Sequence, residues 1–523
     1  MRSSFSGYYV AKQGINVSRE QLEVTGQNIS NVNTEGYTKQ RVDTYALGSM
    51  MGKSRVAAAK SDYIGSGANI NKYSQSRDAF LDVRYRQENA KYGGTSAELS
   101  VLTEIGYVLD DAVVDGLNDQ IQDFVSQLQN LSGKANDPVI QNVVKGSAQS
   151  VAQLLNQYAT QIKNAKNEMV TTVSDGAIRE INGYLQNIAT LNKAIRSANV
   201  SGDPALELND QRNTLIDNLS TYFDIKLSTR EVDVGGVMVE ELCVNMKTSN
   251  GDSFQLVDND DFAQFNSYIK DDKIEIQLLD FDGKPVYYSA NGSLTAHNGE
   301  VTDFLSKGAI RGYINRIDSA GPFDEPQSQT MGIAYYEKAL DCFAATFAKV
   351  LNEANSTADE DKPMFESSVA GEPITASNIC VSTKWSNAEG SYITPTKVKP
   401  QDGLTNDTDN SNILYMISLF EGKHEFKRDD GVTVYTGKLY DYCTDMSTQL
   451  GMDIQNITKE QGIYEEGLDD IVTSRMSVTG VNIDEETIDM MMYSRAFSAS
   501  SRFMTSIDEI IQTIIDKMGL AGR

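Results

Sequence analysis

Few residues in this 523-residue sequence have the types and spacing that reactive chemistry needs. It holds two histidines, His297 and His424, so a histidine metal site or a His-dependent triad has little to draw on. His424-Glu425-Phe426-Lys427-Arg428 opens like a zinc-binding helix but lacks the second histidine of His-Glu-x-x-His. Cys243, Cys342, Cys380 and Cys443 are far apart, whereas zinc and redox sites use short paired spacings, so they read as free, buried or half-buried thiols. Asp258-Asn259-Asp260-Asp261 is acidic enough to suggest calcium. The alternating Asp-x-Asp-x-Asn-Gly loop with its later Glu is missing, so a solvated loop is expected there and at Asp359-Glu360-Asp361. There is no phosphate-binding Gly-x-x-x-x-Gly-Lys and no Gly-x-Ser-x-Gly nucleophile turn. Trp385, in a polar stretch, is expected to anchor a small core. No catalytic residue, metal ligand or cofactor is expected.

Composition narrows the classes further. A formal charge of -27 makes nucleic acid and anionic membrane surfaces poor partners. Mean hydropathy is -0.38, and no run approaches the about 18 apolar residues that a membrane span needs. Arg2 leads into Ser3-Ser4 and an amphipathic segment, not into the apolar core of a secretory signal. Only 9 prolines occur, which suits long helices, where an interior proline costs roughly 3 kcal/mol.

The elements that would position any site are mostly helical. A first helix is expected over 1–33, an extended or irregular stretch over 37–76, then helices over 76–92 and 96–109, separated by a break at Gly93-Gly94. Leu117, Ile121, Phe124, Leu128 and Leu131 mark the next helix. Asp137-Pro138 is a cap and start signal for a very long one, with Ile140, Val144, Val151, Leu154, Tyr158, Ile162 and Met169 on one face. Ile181, Leu185, Ile188 and Ile195 continue it, and Gly202-Asp203-Pro204 stops it before a helix over 206–222. Alternation and turn dipeptides from Ile225 to Tyr288 predict hairpins. Helix returns over 329–355, an acidic Pro/Gly/Asn-rich stretch follows over 357–412, then a short helix over 412–420, a turn region over 421–436, and helix from Gly437 to the end, broken near Ser477 to Gly480. The expected fold is mainly α with β-rich insertions, an elongated multi-domain molecule in which both termini form a long helical bundle. Its expected parts are 1–36 with 481–523; 37–225 with 326–356 and 437–480; a β-rich projection over 226–325; and an irregular or β insertion over 357–436.

The two ends answer each other. Tyr8, Ile15, Leu22 and Ile29 recur every seven residues, with Ala11, Ser18, Thr25 and Val32 three residues after each, a large stripe beside a small one. Asn28-Ile29-Ser30-Asn31-Val32-Asn33-Thr34-Glu35-Gly36-Tyr37 then ends the helix, with Gly36 able to take positive φ. At the other end Asn482 is an expected N-cap with acid in the first turn. The stripe Ile488, Met492, Ala496, Ala499, Phe503, Ile507, Ile510, Ile514, Met518 is spaced 4, 4, 3, 4, 4, 3, 4, 4, nearer an eleven-residue than a seven-residue repeat.

The run 28–40, ending Gly36-Tyr37-Thr38-Lys39-Gln40, resembles the N-terminal motif of bacterial flagellar rod, hook and hook-associated proteins, with Glu35 where that group commonly has Pro. Val481–Glu486 and Tyr493–Ser500 resemble its C-terminal motif. Leu208-Asn209-Asp210-Gln211-Arg212-Asn213-Thr214-Leu215-Ile216-Asp217-Asn218-Leu219-Ser220 is similar to a segment of the hook-associated protein 1 family, the hook–filament junction proteins, with Asn213 in place of its usual Asp. The resemblance implies a structural adaptor, extracellular in the flagellum and exported without a cleaved signal. It implies that Tyr8, Ile15, Leu22 and Ile29, and Ile488, Met492, Ala496, Phe503, Ile507, Ile510, Ile514 and Met518, pack between subunits, the second set also binding an export chaperone. Asn28, Asn31, Asn33, Thr34, Gly36 and Tyr37 would form the joint between tube and body. Implied partners are other copies of the chain, hook protein and a second hook-associated junction protein. The nearest rival is a hook or rod protein, and a rival of another class is a soluble enzyme or binding module with a cleft in 226–436.

Overall fold

A computed structural model describes residues 6–47, 67–109, 111–286, 299–388, 391–397, 409–428 and 430–518. His297, Gly48, Gly52 and Gly65 lie outside them, as do the side chains of Lys517 and Met518. The chain starts with α1 (Ser6–Ser30), a hairpin of β1 (Gln40–Ala46) and β2 (Ala68–Gln75), and α2 (Ala79–Val108). Next come α3 (Asp111–Ser132), α4 (Pro138–Thr171), a π-helical turn over Thr172–Ala177, α5 (Ile178–Val200) and α6 (Leu206–Leu219). The β-rich part holds β3 (Ile225–Val234), β4 (Val237–Lys247), β5 (Ser253–Asp258), β6 (Asp261–Phe262), β7 (Gln264–Lys270) and β8 (Lys273–Leu279). Then follow α7 (Ala309–Asp318), α8 (Ile333–Asn355), β9 (Phe365–Ser367), β10 (Ile379–Val381), α9 (Thr383–Ser386), α10 (Ser411–Glu421), β11 (His424–Lys427), β12 (Thr433–Gly437), α11 (Leu439–Thr479) and α12 (Ile483–Met518).

Local chemistry explains the boundaries. Asp137 caps α4 by accepting the Val139 N–H, with Pro138 in the first turn, where its missing N–H costs nothing. The π turn keeps α4 and α5 running on as one rod. Gly93-Gly94, expected as a break, lies inside α2, which is continuous. These glycines serve close approach: a Cβ on Gly93 would strike the Thr221 carbonyl, one on Gly94 would meet the Gly308 backbone at 3.4 Å, and one on Gly312 would strike the Gly94 carbonyl. A glycine that lets two backbones touch reads in sequence like a glycine that ends a helix. The expected turn region 421–436 contains the β11–β12 hairpin. Asp258–Asp261, expected as a solvated loop, is a tight turn tied to the body: Arg230 pairs with Asp258 at 2.9 Å, Arg196 with Asp260 at 3.1 Å, and Asn192 donates to the Asn259 carbonyl at 2.8 Å.

Among the described residues all strand pairs are antiparallel, with one four-stranded sheet in the order β3-β4-β5-β6. The β-rich part lies along α5, where Asn182 exchanges two 2.8 Å hydrogen bonds with the Phe265 backbone and so caps the edge of β7. One apolar cluster runs from Val101 to Ile457 and joins α2 through α11, including the aromatic group Phe124, Phe343, Phe347, Phe420, Phe426 and Tyr442. Trp385 is buried and stacks on Tyr392 at 5.9 Å, and both belong to this same cluster rather than to a small core of their own. This cluster contains no residue of α1 or α12 among the described residues.

Two outcomes follow from this packing. The core does not draw on the terminal helices, so a chain lacking 1–35 and 485–523 should remain a folded, soluble monomer; circular dichroism and sedimentation showing global unfolding would contradict this. The second concerns Asp318, buried at the end of α7, which accepts the Ile274 N–H at 2.9 Å while its other oxygen has no hydrogen-bond partner. Burial pushes this carboxyl up from 3.8 to about 7, against the Ile274 hydrogen bond and the charges of Lys166 and Lys273. An acid raised in the fold favours its protonated form there, so stability should grow as pH falls through 7 and level off near the unfolded value. Asp318→Asn should flatten that dependence and stabilise the chain at pH 8 by about 1–3 kcal/mol, read by urea unfolding at pH 8 and pH 5.

Candidate functional site

The surface that the sequence singles out is the pair formed by α1 and α12, which pack against each other along their length. On α1 it is the small stripe that is buried: Ala11, Ser18 and Thr25, with Val32 half-buried beyond the helix. The large stripe lies beside it, with Tyr8 41% exposed and Ile15, Leu22 and Ile29 half-buried. The reason is backbone approach. A Cβ on Gly7 would sit 2.8 Å from Ile507 Cδ1, and one on Gly14 would sit 2.7 Å from Ser500 Oγ. Gly7, Ala11, Gly14, Ser18 and Thr25 thus make a heptad-spaced seam of small residues into which α12 settles. Gly7 and Gly14 lie outside the expected stripes, and their seven-residue spacing is the signal in the sequence that marks them.

On α12 the residues turned toward α1 are half-buried Tyr493, Phe497, Ser500, Met504, Ile507 and Ile511. Their spacing is 4, 3, 4, 3, 4, so the contact within the chain follows a seven-residue repeat rather than the eleven-residue one expected. The predicted stripe falls mostly on the outer face: Ile488 is 60% exposed, Met492 54%, Phe503 48%, Ile510 58% and Ile514 42%, and Ala496 and Ala499 are exposed too. Of that stripe Ile507 reaches the seam, and the ring of Phe503 touches its edge at Gly7. A helix with apolar side chains on two faces and a partner on only one leaves a wide uncovered apolar surface.

At the C-terminal end of α1 the chemistry becomes polar. Asn28 is 1% exposed and uses its whole amide: Nδ2 donates to the Gln40 carbonyl at 2.9 Å and to Glu486 Oε2 at 3.1 Å. Its Oδ1 accepts the Tyr37 hydroxyl at 2.9 Å and the Gln40 N–H at 3.0 Å. One side chain therefore ties together α1, β1 and the first turn of α12. Glu486, itself buried, also pairs with Lys39 at 2.9 Å, which compensates a charge taken out of water. Burial and the carboxylates of Glu207, Asp210 and Glu486 push the Tyr37 phenol far up, so it stays a donor. Asn31 and Thr34 build the turn itself, with Thr34 N–H donating to the Asn31 carbonyl at 2.9 Å and Thr34 Oγ1 to Asn31 Oδ1 at 3.2 Å. Gly36 has φ +76 and faces Thr214, whose hydroxyl occupies the place a Cβ would need. Asn33 and Glu35 are exposed. Asn482 caps α12 by accepting the Asp484 N–H at 3.0 Å.

The turn lands on α6, within the segment 208–220. Asp210 Oδ2 accepts the Thr38 N–H at 3.0 Å, and Glu207 Oε1 accepts from Gln27 at 2.7 Å and Gln40 at 3.1 Å. Burial raises the Asp210 carboxyl, partly offset by its bonds to Thr38. Two residues on, Arg212 donates to Asn192 at 3.0 Å and Asn209 at 2.8 Å, and burial lowers its guanidinium to about 10. Arg475 of α11 bridges Asp82 at 2.9 Å and Asp217 at 2.8 Å. Cavities of about 470 and 590 Å³ flank the turn, one toward Arg475 and Val481, the other toward Asn187 and Leu191.

The rival cleft lies elsewhere, a groove of about 770 Å³ beside α8 lined by Lys338, Asp341, Cys342, Lys349, Lys427 and Arg428. Its reactive types are engaged in structure: Asp341 accepts the Ala376 N–H at 2.8 Å, Cys342 donates to the Lys427 carbonyl at 3.3 Å, and Arg428 pairs with Glu325 at 2.6 Å and with Asp430. Among the described residues no group of three or more His, Cys, Asp or Glu side chains is placed to hold a metal ion, and no helix is long and apolar enough to cross a membrane.

Comparison with known proteins returns three family models in chain order. Residues 9–38 match the flagella basal body rod protein family, 102–361 the helical domain of flagellar hook-associated protein FlgK, and 473–517 the C-terminal domain of flagellar basal body rod FlgEFG proteins. The chain is 28% identical over 542 residues to flagellar hook-associated protein 1 of Bacillus subtilis, covering 100% of both. It is 26% identical over 225 residues to the protein of that name from Escherichia coli, covering 42% of this chain and 39% of the relative. The fold is similar to the flagellar hook junction protein FlgK from Burkholderia pseudomallei, with a TM-score of 0.51, 13% identity, and 77% of this chain and 100% of that chain covered.

The Asn28 network gives a sharp expectation. Asn28→Ala leaves the buried Gln40 N–H without its acceptor and Glu486 Oε2 without its amide donor, at about 1–3 kcal/mol for each orphaned group. Hydrogen exchange should therefore speed up at the C-terminal end of α1 and the first turns of α12, while α4 and α5 keep their protection. Unchanged exchange at both helix ends would contradict the network.

Proposed function

The chain belongs to the flagellar hook-associated protein 1 family, and from that premise we propose that it joins hook to filament by assembling through the uncovered faces of its terminal helices. It is a structural component of the flagellum, and its family is a structural one. The observation that carries the assembly reading is the division of labour on α12: the inner seam is spent within the chain, while Ile488, Met492 and Ile510 stay more than half exposed and Phe503 and Ile514 are only partly covered. Neighbouring copies, bringing Tyr8, Ile15, Leu22 and Ile29, are the natural cover. Burying such side chains contributes about 25 cal/mol per Å² before ordering costs, enough in a ring where each copy is touched from several sides. Asn28, Asn31, Thr34, Gly36 and Tyr37 act as the joint between this pair and the body.

The same surface explains the proposed life history. A chain with this much apolar helix surface needs a cover before assembly, and an export chaperone on α12 would supply it. The chain would leave the cytoplasm through the flagellar export channel without a cleaved signal, then meet hook protein on one side and a second hook-associated junction protein on the other. A plain hook or rod role accommodates the two terminal matches but not the helical-domain match over 102–361.

Deletion of the gene should leave hooks without filaments and filament subunits lost to the medium; normal filaments on such cells would sink the junction role. Met492→Ser with Ile510→Ser should keep the monomer's circular dichroism and thermal unfolding while abolishing incorporation into the flagellum. Normal incorporation of that double variant would show that the outer face is not an interface.

A further inference from the structure

We infer that Asp210 and Glu207 of α6 are positioning residues that latch the terminal helix pair at one angle to the body. The inference rests on the adaptor reading, for which that angle matters, and concerns how it is set.

The β1–β2 hairpin packs on α1, and Asn28 binds β1, α1 and α12 together, so these elements form one unit. Only two short covalent connections are seen between this unit and the body: residues 76–78, between β2 and α2, and residues 480–482, between α11 and α12. Two tethers define an axis and leave rotation about it free, since hinges of a few residues absorb large φ/ψ changes. A third point of attachment is needed to fix the angle. The turn over 31–38 supplies it by reaching across to α6. What the unit makes there is polar: Thr38 N–H to Asp210 Oδ2 at 3.0 Å, Gln27 of α1 and Gln40 of β1 to Glu207 at 2.7 and 3.1 Å, Gln75 of β2 to the Leu206 carbonyl at 3.0 Å, and Gly36 seated against Thr214. Cavities of about 470 and 590 Å³ lie on either side of the turn. Asp210 is 6% exposed, and its second oxygen lacks a hydrogen-bond donor, with Arg77 at 3.7 Å. A buried carboxylate held by a backbone N–H of the turn is therefore the firmest of these attachments, and the exposed Glu207 assists it through two amides.

The test reads the angle directly on the isolated full chain. Spin labels attached through unnatural amino acids at exposed Ser498 on α12 and Lys193 on α5 leave the native cysteines intact. Pulsed-EPR distances should give one narrow distribution in the parent chain. Asp210→Ala and Glu207→Ala should lose that single narrow distribution with no change in the thermal unfolding of the body. Asp210→Asn keeps an acceptor for Thr38 N–H and should restore it. An unchanged distribution in Asp210→Ala overturns the latch, as does equal broadening in Asp210→Asn. Failure here would leave the adaptor reading standing, because that reading is judged by incorporation into flagella and not by the monomer's distances.

Discussion

Two helices that share no core with the rest of the chain must hold each other, and here they do so by letting their backbones come close. Gly7 and Gly14 leave room for Ile507 and Ser500, and Ala11, Ser18 and Thr25 complete the seam. A seam of small residues has a consequence that a leucine seam lacks. It places the bulky side chains of both helices beside the contact or behind it, where the single chain cannot cover them. Tyr8, Met492 and Ile510 stay exposed beside or behind the seam that Gly7 and Gly14 make. The pairing within the chain thus creates the surface for pairing between chains.

The two regions of the molecule are held by different physics. The body, from α2 to α11, is one continuous apolar core with glycine contacts where α2 meets α7, and its charges are spent on ion pairs such as Arg86 with Asp217. Where the helix pair meets the body, the attachments are hydrogen bonds from Gln27, Thr38 and Gln40 to the carboxylates of Glu207 and Asp210, far away in sequence. Apolar packing is indifferent to small rotations, whereas a set of hydrogen bonds has one good geometry. A polar joint between an apolar bundle and an apolar assembly surface suits a part whose task is to set an angle.

Much of this was legible in the sequence. The long helices, the Asp137-Pro138 start, the stop at Gly202-Asp203-Pro204 and the hairpins after Ile225 all follow local rules, and the structure has them. Periodicity also identified the paired terminal helices. It could not say which stripe of α12 the chain keeps for itself, because Tyr493, Phe497, Met504 and Ile511 form as good a stripe as Ile488, Met492, Phe503 and Ile510. That choice depends on the glycines of α1, almost five hundred residues away. Gly93-Gly94 resembles a helix break for the same reason, since the fold alone shows that the Thr221 carbonyl and the Gly308 backbone lie against them. The hydrogen bonds of Asn28 to Glu486 and of Thr38 to Asp210 are long-range pairings that no local pattern encodes.

The account stands or falls on what covers the outer face of α12. A helical reconstruction of the junction between hook and filament, at a resolution that shows side chains, addresses it most directly. The account predicts that Ile488, Met492, Phe503, Ile510 and Ile514 are buried against neighbouring copies while Gly14 stays seated on Ser500 of its own chain. Those side chains facing open solvent in the assembled ring, or α1 exchanged onto another copy's seam, would contradict it.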